Sequence, residues 1–598
     1  MLKKTRFPVI ISTILFFLLA EITTAQERFR FKETIVVTGS LIPAEFSKIS
    51  RKVTIIKKEE IAKAPVNSVS DLLKHVLSLD LMQRAPFGVQ GDVSIRGSTS
   101  SQVLILINGI KVYDPQTSHH NLDIPVSLSS IERIEILHGQ GSSVYGENAF
   151  GGVINIVTNK PSQNDISGAF SFGEYNTLSG NLSFSHSVNK IYHTLTVDYQ
   201  DSDGFEPNRD FNVLNLLSNS HFEFINGNIN LLIGFNKKKF GANNFYGPFP
   251  SKERTKTNFI GLNFDRKKTR MKLYYRQHDD TFTLDITRPE WYVNHHTNES
   301  YGGEISSVID LNSLGKVAIG GEFRKDSIKS SNLGNHFYYK LSVFTEYEKI
   351  LLKKVYLNAR LRGDCYSTWG IEFIPNLSLS YIISSNLKIR SSAGKAFRIP
   401  SFTELYYHSP ANIGRSDLRA EKNFSFDIGL DFFPNDYIVW ESTFFLRKDR
   451  DLIDWIRKNQ ETFWRAENIQ KIDFYGVETQ FILKGLCSVG YQYLMSKHKQ
   501  QENFLSKYVL NHPVHQISSS LNLALPFKIN SGIAGVYKKR KKEKGYFILD
   551  VKISKRIASL DFFIQATNLL NANYQEIPMI SMPGRWFMAG ICFQRHPD

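Results

Sequence analysis

A mostly β chain, crossing a membrane as an antiparallel barrel with a small α/β domain ahead of it, is the fold class that three observations predict. The N-terminus reads as an export signal, apolar and polar residues alternate strand after strand beyond about residue 160, and tight turns alternate with long polar loops. Tyrosine (26) and phenylalanine (44) are abundant while mean hydropathy stays at −0.25. No apolar run after the signal approaches the roughly 20 residues of a spanning helix. A large secreted β-sandwich or propeller array would share this composition, so the connections must decide.

Taking the chain in order, Lys3, Lys4 and Arg6 precede an apolar run from Val9 to Ala20, and Thr23-Thr24-Ala25 offers a small-residue cleavage site. Residues 1–25 are therefore read as a signal peptide with Gln26 as the mature N-terminus. An uncleaved anchor is the alternative, for which the run is short. Residues 26–45 hold an extended octet, "ETIVVTGS", and a linker.

Residues 46–160 read as a small α/β domain. Ser68 to Leu79 has the spacing of an amphipathic helix, with Ser68 or Ser70 as cap and Leu72, Leu73, Val76 and Leu77 on one face. "QVLILINGIKV" is a hairpin turning at Asn108-Gly109. "IERIEILHGQGSSVYGENAFGGVINIVTN" is a strand, a glycine-rich turn and a final strand. Its Gly139-Gln140-Gly141 lacks the third glycine, the following helix and the acidic partner of a dinucleotide site.

From residue 161 to 598 the period is two. Leu182, Phe184 and Val188 alternate with Ser183, Ser185 and Ser187; Leu195 and Val197 alternate with Thr194, Thr196 and Asp198. Such alternation gives each strand one apolar and one polar face. Short turns at Asn189-Lys190, Asn226-Gly227, Lys267-Lys268, Ser384 to Asn386 and Asn435-Asp436 alternate with loops at Asp201 to Asp210, Lys239 to Arg254, Tyr407 to Lys422 and Asn571 to Gly584. That asymmetry fits a transmembrane barrel whose rims face different compartments. About 22 antiparallel strands fit, at roughly 20 residues per strand and connection, and a barrel that wide needs its lumen filled. Residues 46–160 are the material for such a plug.

The formal charge of +16 includes clusters at Lys237 to Lys239, Arg266 to Lys268 and Lys538 to Lys542. They flank strands without stacking aromatics, so nucleic acid is not expected; membrane phosphates or plain solvated turns account for them. Cys365, Cys487 and Cys592 have no metal-ligand spacing and read as small apolar residues on strands. No nucleophile, base and orienter recur together and no zinc signature is present, so an enzyme is not expected.

In its ordered motifs the chain resembles the TonB-dependent outer-membrane receptors, closest to members of the cobalamin (vitamin B12) receptor type. The plug motifs are "SIRG", "VLILINGIKV", "IERIEIL", "SSVYG" and "GGVINIVT"; those of the barrel are "GKAFRIPSFTELYY", "DLRAEK" and "NLLNANYQEIPMISMPGRWFMAGICF". Three departures stand out: His138-Gly139-Gln140 replaces the usual Arg-Gly-Pro, Ala420 replaces a common proline, and Gln594 to Asp598 follow the last aromatic residue, Phe593.

The resemblance implies an outer-membrane importer energised by TonB, with Glu33, Thr34, Ile35, Val36, Val37 and Thr38 as the TonB box. An extended segment of this kind is gripped by strand addition to a partner's sheet edge. The loop "YDPQTSHHNLDIP" is expected to form the plug apex, with Gln116, Ser118, His119, His120 and Asn121 as ligand-binding groups. His119 and His120 are read as hydrogen-bonding groups, with metal ligation as the alternative. "DSDGF" resembles the calcium loop of cobalamin receptors, making Asp201 and Asp203 candidate calcium ligands or an ordinary turn. Cobalamin is the first expected ligand; a ferric siderophore or haem is the alternative, haem because of His408. A binding-only surface barrel or adhesin, and a passive porin, are the other classes. A surface lipoprotein over the outer mouth is a candidate partner.

Overall fold

The computed structural model describes residues 35–36, 40–42, 44–45 and 48–595, apart from 161–163, 410, 459–460, 499–503 and 542. Residues 1–25, read above as a signal peptide, and residues 596–598 lie outside the described residues.

The N-terminal domain is built on a five-stranded sheet in the order Val53–Lys57, Ile131–His138, Gly152–Thr158, Val103–Ile107, Ile110–Lys111. Only the pairing of Val103–Ile107 with Gly152–Thr158 is parallel. The unbroken apolar run of Val103–Ile107 follows from burial on both faces: Val103, Ile105 and Ile107 join one core, Leu104 and Leu106 the other. Asn108 and Gly109 turn the hairpin with φ of 51° and 76°, as a two-residue turn with both central residues left-handed requires. A separate hairpin, Leu79–Ala85 with Gln90–Ile95, packs beside the sheet.

The predicted helix is shorter than its apolar spacing suggested. It runs Val69–Lys74, capped by Ser68, whose Oγ accepts from the Asp71 amide at 3.1 Å. Ser78, at φ 72°, reverses the chain so that Leu79 opens a strand. Val76 and Leu77 are buried nonetheless, so their hydrophobic signal came from packing and not from helical period.

The barrel closes after 22 principal strands, each antiparallel to its neighbours, when Asp165–Gly173 pairs with Trp586–Arg595. Two short pieces, Asn412–Ile413 and Phe504–Ser506, extend the wall at its loop end. Alternation resolves as a membrane barrel demands: Leu182, Phe184 and Leu195 face outward, 50%, 46% and 44% exposed, while Ser183, Ser185, Thr194 and Thr196 are buried against the lumen. No described helix is long and apolar enough to cross a membrane; strands do so. The three cysteines are free thiols on strands.

Two connections differ from the sequence reading. The turn expected at Asn226-Gly227 sits at residues 225–226. Most of the loop expected from Lys239 to Arg254 is strand, since Gly227–Asn243 and Pro250–Arg266 leave only 244–249 between them. Its polar character is shared between inward Ser251 and Glu253, which are buried, and outward Lys239 and Arg254, which are exposed; just ahead of it, Lys238 is buried and pairs with Asp123 of the plug at 2.8 Å. Lys538 and Arg540 likewise turn inward, each to Asp80 at 2.9 Å, so these cluster residues meet the plug and not a membrane surface.

Plug and wall come close where the wall has glycine. A Cβ on Gly532 would lie 2.0 Å from the Lys63 carbonyl oxygen, which is backbone at the end of helix Lys58–Lys63 and cannot swing aside. Gly532→Ala is expected to cost the plug about 1–3 kcal/mol of docking. The readout is faster amide exchange in Lys58–Lys63 with the barrel still folded. Gly321→Ala, whose Cβ would meet only Ser342 O at 3.4 Å, is the inert control.

Candidate functional site

On the side of the long loops, the plug and the barrel mouth enclose a cavity of about 460 Å³. Its floor is the plug loop that begins after Ile110–Lys111 and carries the short helix Ser118–His120. Asp114 shapes that loop. Its Oδ1 accepts from the Gln116 amide at 2.9 Å, its Oδ2 pairs with Arg276 of the wall at 2.8 Å, and its own amide donates to Asn121 Oδ1 at 3.1 Å. Burial opposes ionisation of Asp114, but Arg276 together with His278 and His120 holds the carboxyl below its usual range.

Gln116, Ser118, His119 and His120 all line the cavity. The Gln116 amide bridges to the wall, accepting from Asn298 at 2.6 Å and donating to Asp280 at 3.3 Å. Ser118 shares a hydrogen with Ser100 at 2.8 Å. His119 approaches Asp92 through Nδ1 at 2.9 Å, and Asp92 also takes Arg84 at 2.7 Å. Burial lowers the His119 pKa despite Asp92, so the ring is neutral, donates from Nδ1 and keeps Nε2 as an acceptor. Asn121 is the exception. It is buried, donates to the Ser100 carbonyl at 3.4 Å, and braces the loop instead of facing the cavity.

His120 meets barrel residues that no local motif announced. Its Nδ1 lies 3.3 Å from Asp123, its Nε2 lies 3.6 Å from Asp280 and 3.7 Å from Glu253, and its ring centroid is 4.5 Å from that of His278. Burial pushes the imidazole down, yet hydrogen bonds and charge from Asp123 and Asp280 carry its pKa well above the ordinary value. The upper cavity is aromatic, with Tyr246, Trp291, Tyr292, Tyr407, Trp455 and Tyr508. Its charges are acidic: Glu253, Asp280, Glu404 and Asp454 against a single lysine, Lys507.

Residues 46–153 match the family model described as the TonB-dependent receptor plug domain, and residues 139–569 match that of the TonB-dependent receptor-like β-barrel. The chain is a TonB-dependent receptor. It is 23% identical over 499 residues to a protein of Photobacterium profundum named vitamin B12 transporter BtuB, covering 78% of this chain and 79% of that one. A Vibrio vulnificus protein of the same name is 22% identical, covering 76% of each. In fold it is similar to the siderophore receptor PirA from Pseudomonas aeruginosa, with TM-score 0.71, 18% identity and coverage of 91% of this chain and 99% of that one. The FrpB iron transporter from Neisseria meningitidis gives TM-score 0.76 at 14% identity, with coverage of 91% and 99%.

The receptor is thus an outer-membrane β-barrel of a family of transporters and receptors, not enzymes, and membership implies interaction with TonB and an imported ligand. Of the expected TonB box, Ile35–Val36 is a two-residue strand paired with Ala44–Glu45, while Glu33, Thr34, Val37 and Thr38 lie outside the described residues. Asp201 is the next-to-last residue of the strand Ile191–Ser202 and accepts from Asn212 at 2.9 Å; Asp203 accepts from Asn176 at 2.6 Å. Neither belongs to the two groups of three close ligating atoms found among the described residues, both of which centre on His120. His408 is exposed and does not line the cavity.

At the plug turn, His138 does not stand in for the usual arginine. Burial lowers its pKa to about 3, so it is neutral, and its Nε2 meets Thr54 at 3.0 Å. Arg96 of "SIRG" supplies the charge instead, pairing with Asp427 at 2.6 Å and with Glu478 of the wall.

Proposed function

We propose that the receptor imports cobalamin, with uptake driven by TonB acting on residues 33–38. The observation that carries this reading is the cavity lining: aromatic rings and neutral polar side chains, with one lysine and no arginine to hold a polyanion. Ferric catecholates are polyanions, and a mouth with so few cations gives them little to pair with. A corrinoid is large, carries many amides and has no such anionic charge; aromatic walls and the neutral donors and acceptors of Gln116, Ser118 and His119 suit it. The similarity to proteins named as vitamin B12 transporters over three quarters of both chains supports the same choice.

The test is equilibrium binding to the purified protein in detergent, with the absorption spectrum and mass of any ligand that copurifies. Saturable binding of cyanocobalamin is expected, with a trianionic ferric catecholate at least tenfold weaker. Tight catecholate binding without cobalamin binding would reverse the assignment.

A further inference from the structure

The floor of the cavity holds a set of side chains that the uptake of an organic ligand does not require. His120 belongs to the plug, whereas Glu253 and Asp280 come from two adjacent wall strands, Pro250–Arg266 and Thr269–Thr283. One ligating atom from each lies within 4.8 Å of the other two, and all three side chains are buried. We infer that His120 Nε2, Glu253 and Asp280 form a binding site for a divalent transition-metal ion of the zinc class, joining the plug apex to the barrel wall.

Four features of the arrangement point the same way. Donor atoms bound to one tetrahedral zinc at about 2.0–2.2 Å stand roughly 3.4 Å apart, and the edges from His120 Nε2 are 3.6 Å to Asp280 and 3.7 Å to Glu253. The other ring nitrogen, Nδ1, faces Asp123 at 3.3 Å, the carboxylate partner that orients a ligating imidazole and raises its basicity. Asp123 is itself fixed, by Lys238 at 2.8 Å and His278 at 3.2 Å.

The third feature is an acceptor without a donor: Asp280 Oδ1 is buried and takes no hydrogen bond, a costly state for a carboxylate oxygen. The fourth is charge. Asp123, Glu253 and Asp280 set three carboxyl groups around the His120 ring, and a bound divalent cation favours the ionised form of each. Nitrogen with carboxylate oxygen suits zinc and its neighbours better than calcium, which takes six to eight oxygens. Three protein ligands leave a fourth position open, and all three residues line the cavity, so that position faces it.

The site is independent of which organic ligand fills the cavity above it. The experiment uses the full mature chain in detergent, stripped with chelator, then titrated with Zn²⁺ and passed over a desalting column for metal analysis. One zinc per chain is expected to be retained. His120→Ala and Asp280→Asn should each weaken binding at least a hundredfold, and Asp123→Asn, which removes an orienting group, about tenfold to a hundredfold. His408→Ala, on an exposed loop histidine, should change nothing. Heat-modifiable electrophoretic mobility reports that each variant barrel is folded. Because a variant plug could still be displaced, Co²⁺ is added to the unmodified protein, where intense d–d bands of a low-coordinate site are expected. Zinc that is not retained, retention unchanged in both His120→Ala and Asp280→Asn, or cobalt spectra like the hexaaqua ion would each overturn the assignment.

Discussion

Replacing Ile35 or Val36 with proline abolishes accumulation of the ligand and leaves its binding at the cell surface unchanged. Ile35–Val36 pairs with Ala44–Glu45 in the register Ile35↔Glu45 and Val36↔Ala44, so this backbone forms a β ladder, though one of only two residues. A partner that adds its own strand competes with that short pairing and gains main-chain hydrogen bonds over a longer segment. Proline removes an N–H and fixes φ, which breaks such a ladder wherever it forms. Initial uptake by energised cells should fall to the rate seen when the proton-motive force is collapsed. Undiminished uptake in both variants would end the strand-addition mechanism. Unmodified protein that accumulates nothing in an energy-dependent way would favour a binding-only barrel, and large conductance in planar bilayers a porin.

Arg96→Ala loosens the plug by about 3–5 kcal/mol, the usual cost of removing one partner from a buried ion pair. The guanidinium reaches Asp427 at 2.6 Å and grips Glu478, and it lies 4.4 Å from the centre of the Phe445 ring. Arg447 of the wall in turn donates to the carbonyls of Arg96 and Gly97 at 3.2 and 3.1 Å. Without Arg96, the two wall carboxylates lose the cation they share. Current through planar bilayers should rise, and amides of Leu79–Ala85 and Gln90–Ile95 should exchange faster while the barrel stays folded. Arg96→Met combined with Glu478→Gln should recover part of the loss, because the stranded charge goes with its partner. Wild-type exchange and silence in the single variant would show that the pair bears no load.

How much of this was legible follows from the range of each signal. The alternation at Leu182 to Ser187 and the Asn108-Gly109 turn are local, and both appear as read. Local signals misled where tertiary packing imitated them. Val76 and Leu77 extend an apolar face but lie beyond the helix end, and Lys239 to Arg254 looks like a loop because its strand ends are polar both inward, at Ser251 and Glu253, and outward, at Lys239 and Arg254. The apex loop was recognisable as a binding surface, yet Asn121 braces it from behind. Glu253, Asp280 and His278 gave no signal at all. Each is one more polar residue at an inward position, and only barrel closure places it against a histidine more than a hundred positions earlier in the chain.

The outward rows that include Phe170, Phe172, Leu182 and Phe184 have a bearing on how this protein reaches its destination. These greasy residues are followed by Ser171, Gly173, Ser183 and Ser185, so no window of twenty is oily enough to lodge in the inner bilayer during secretion. Only after the hoop has closed do those side chains gather into a continuous belt. The chain therefore travels disguised as a polar polymer, and becomes a lipid-soluble object at the moment it finishes folding.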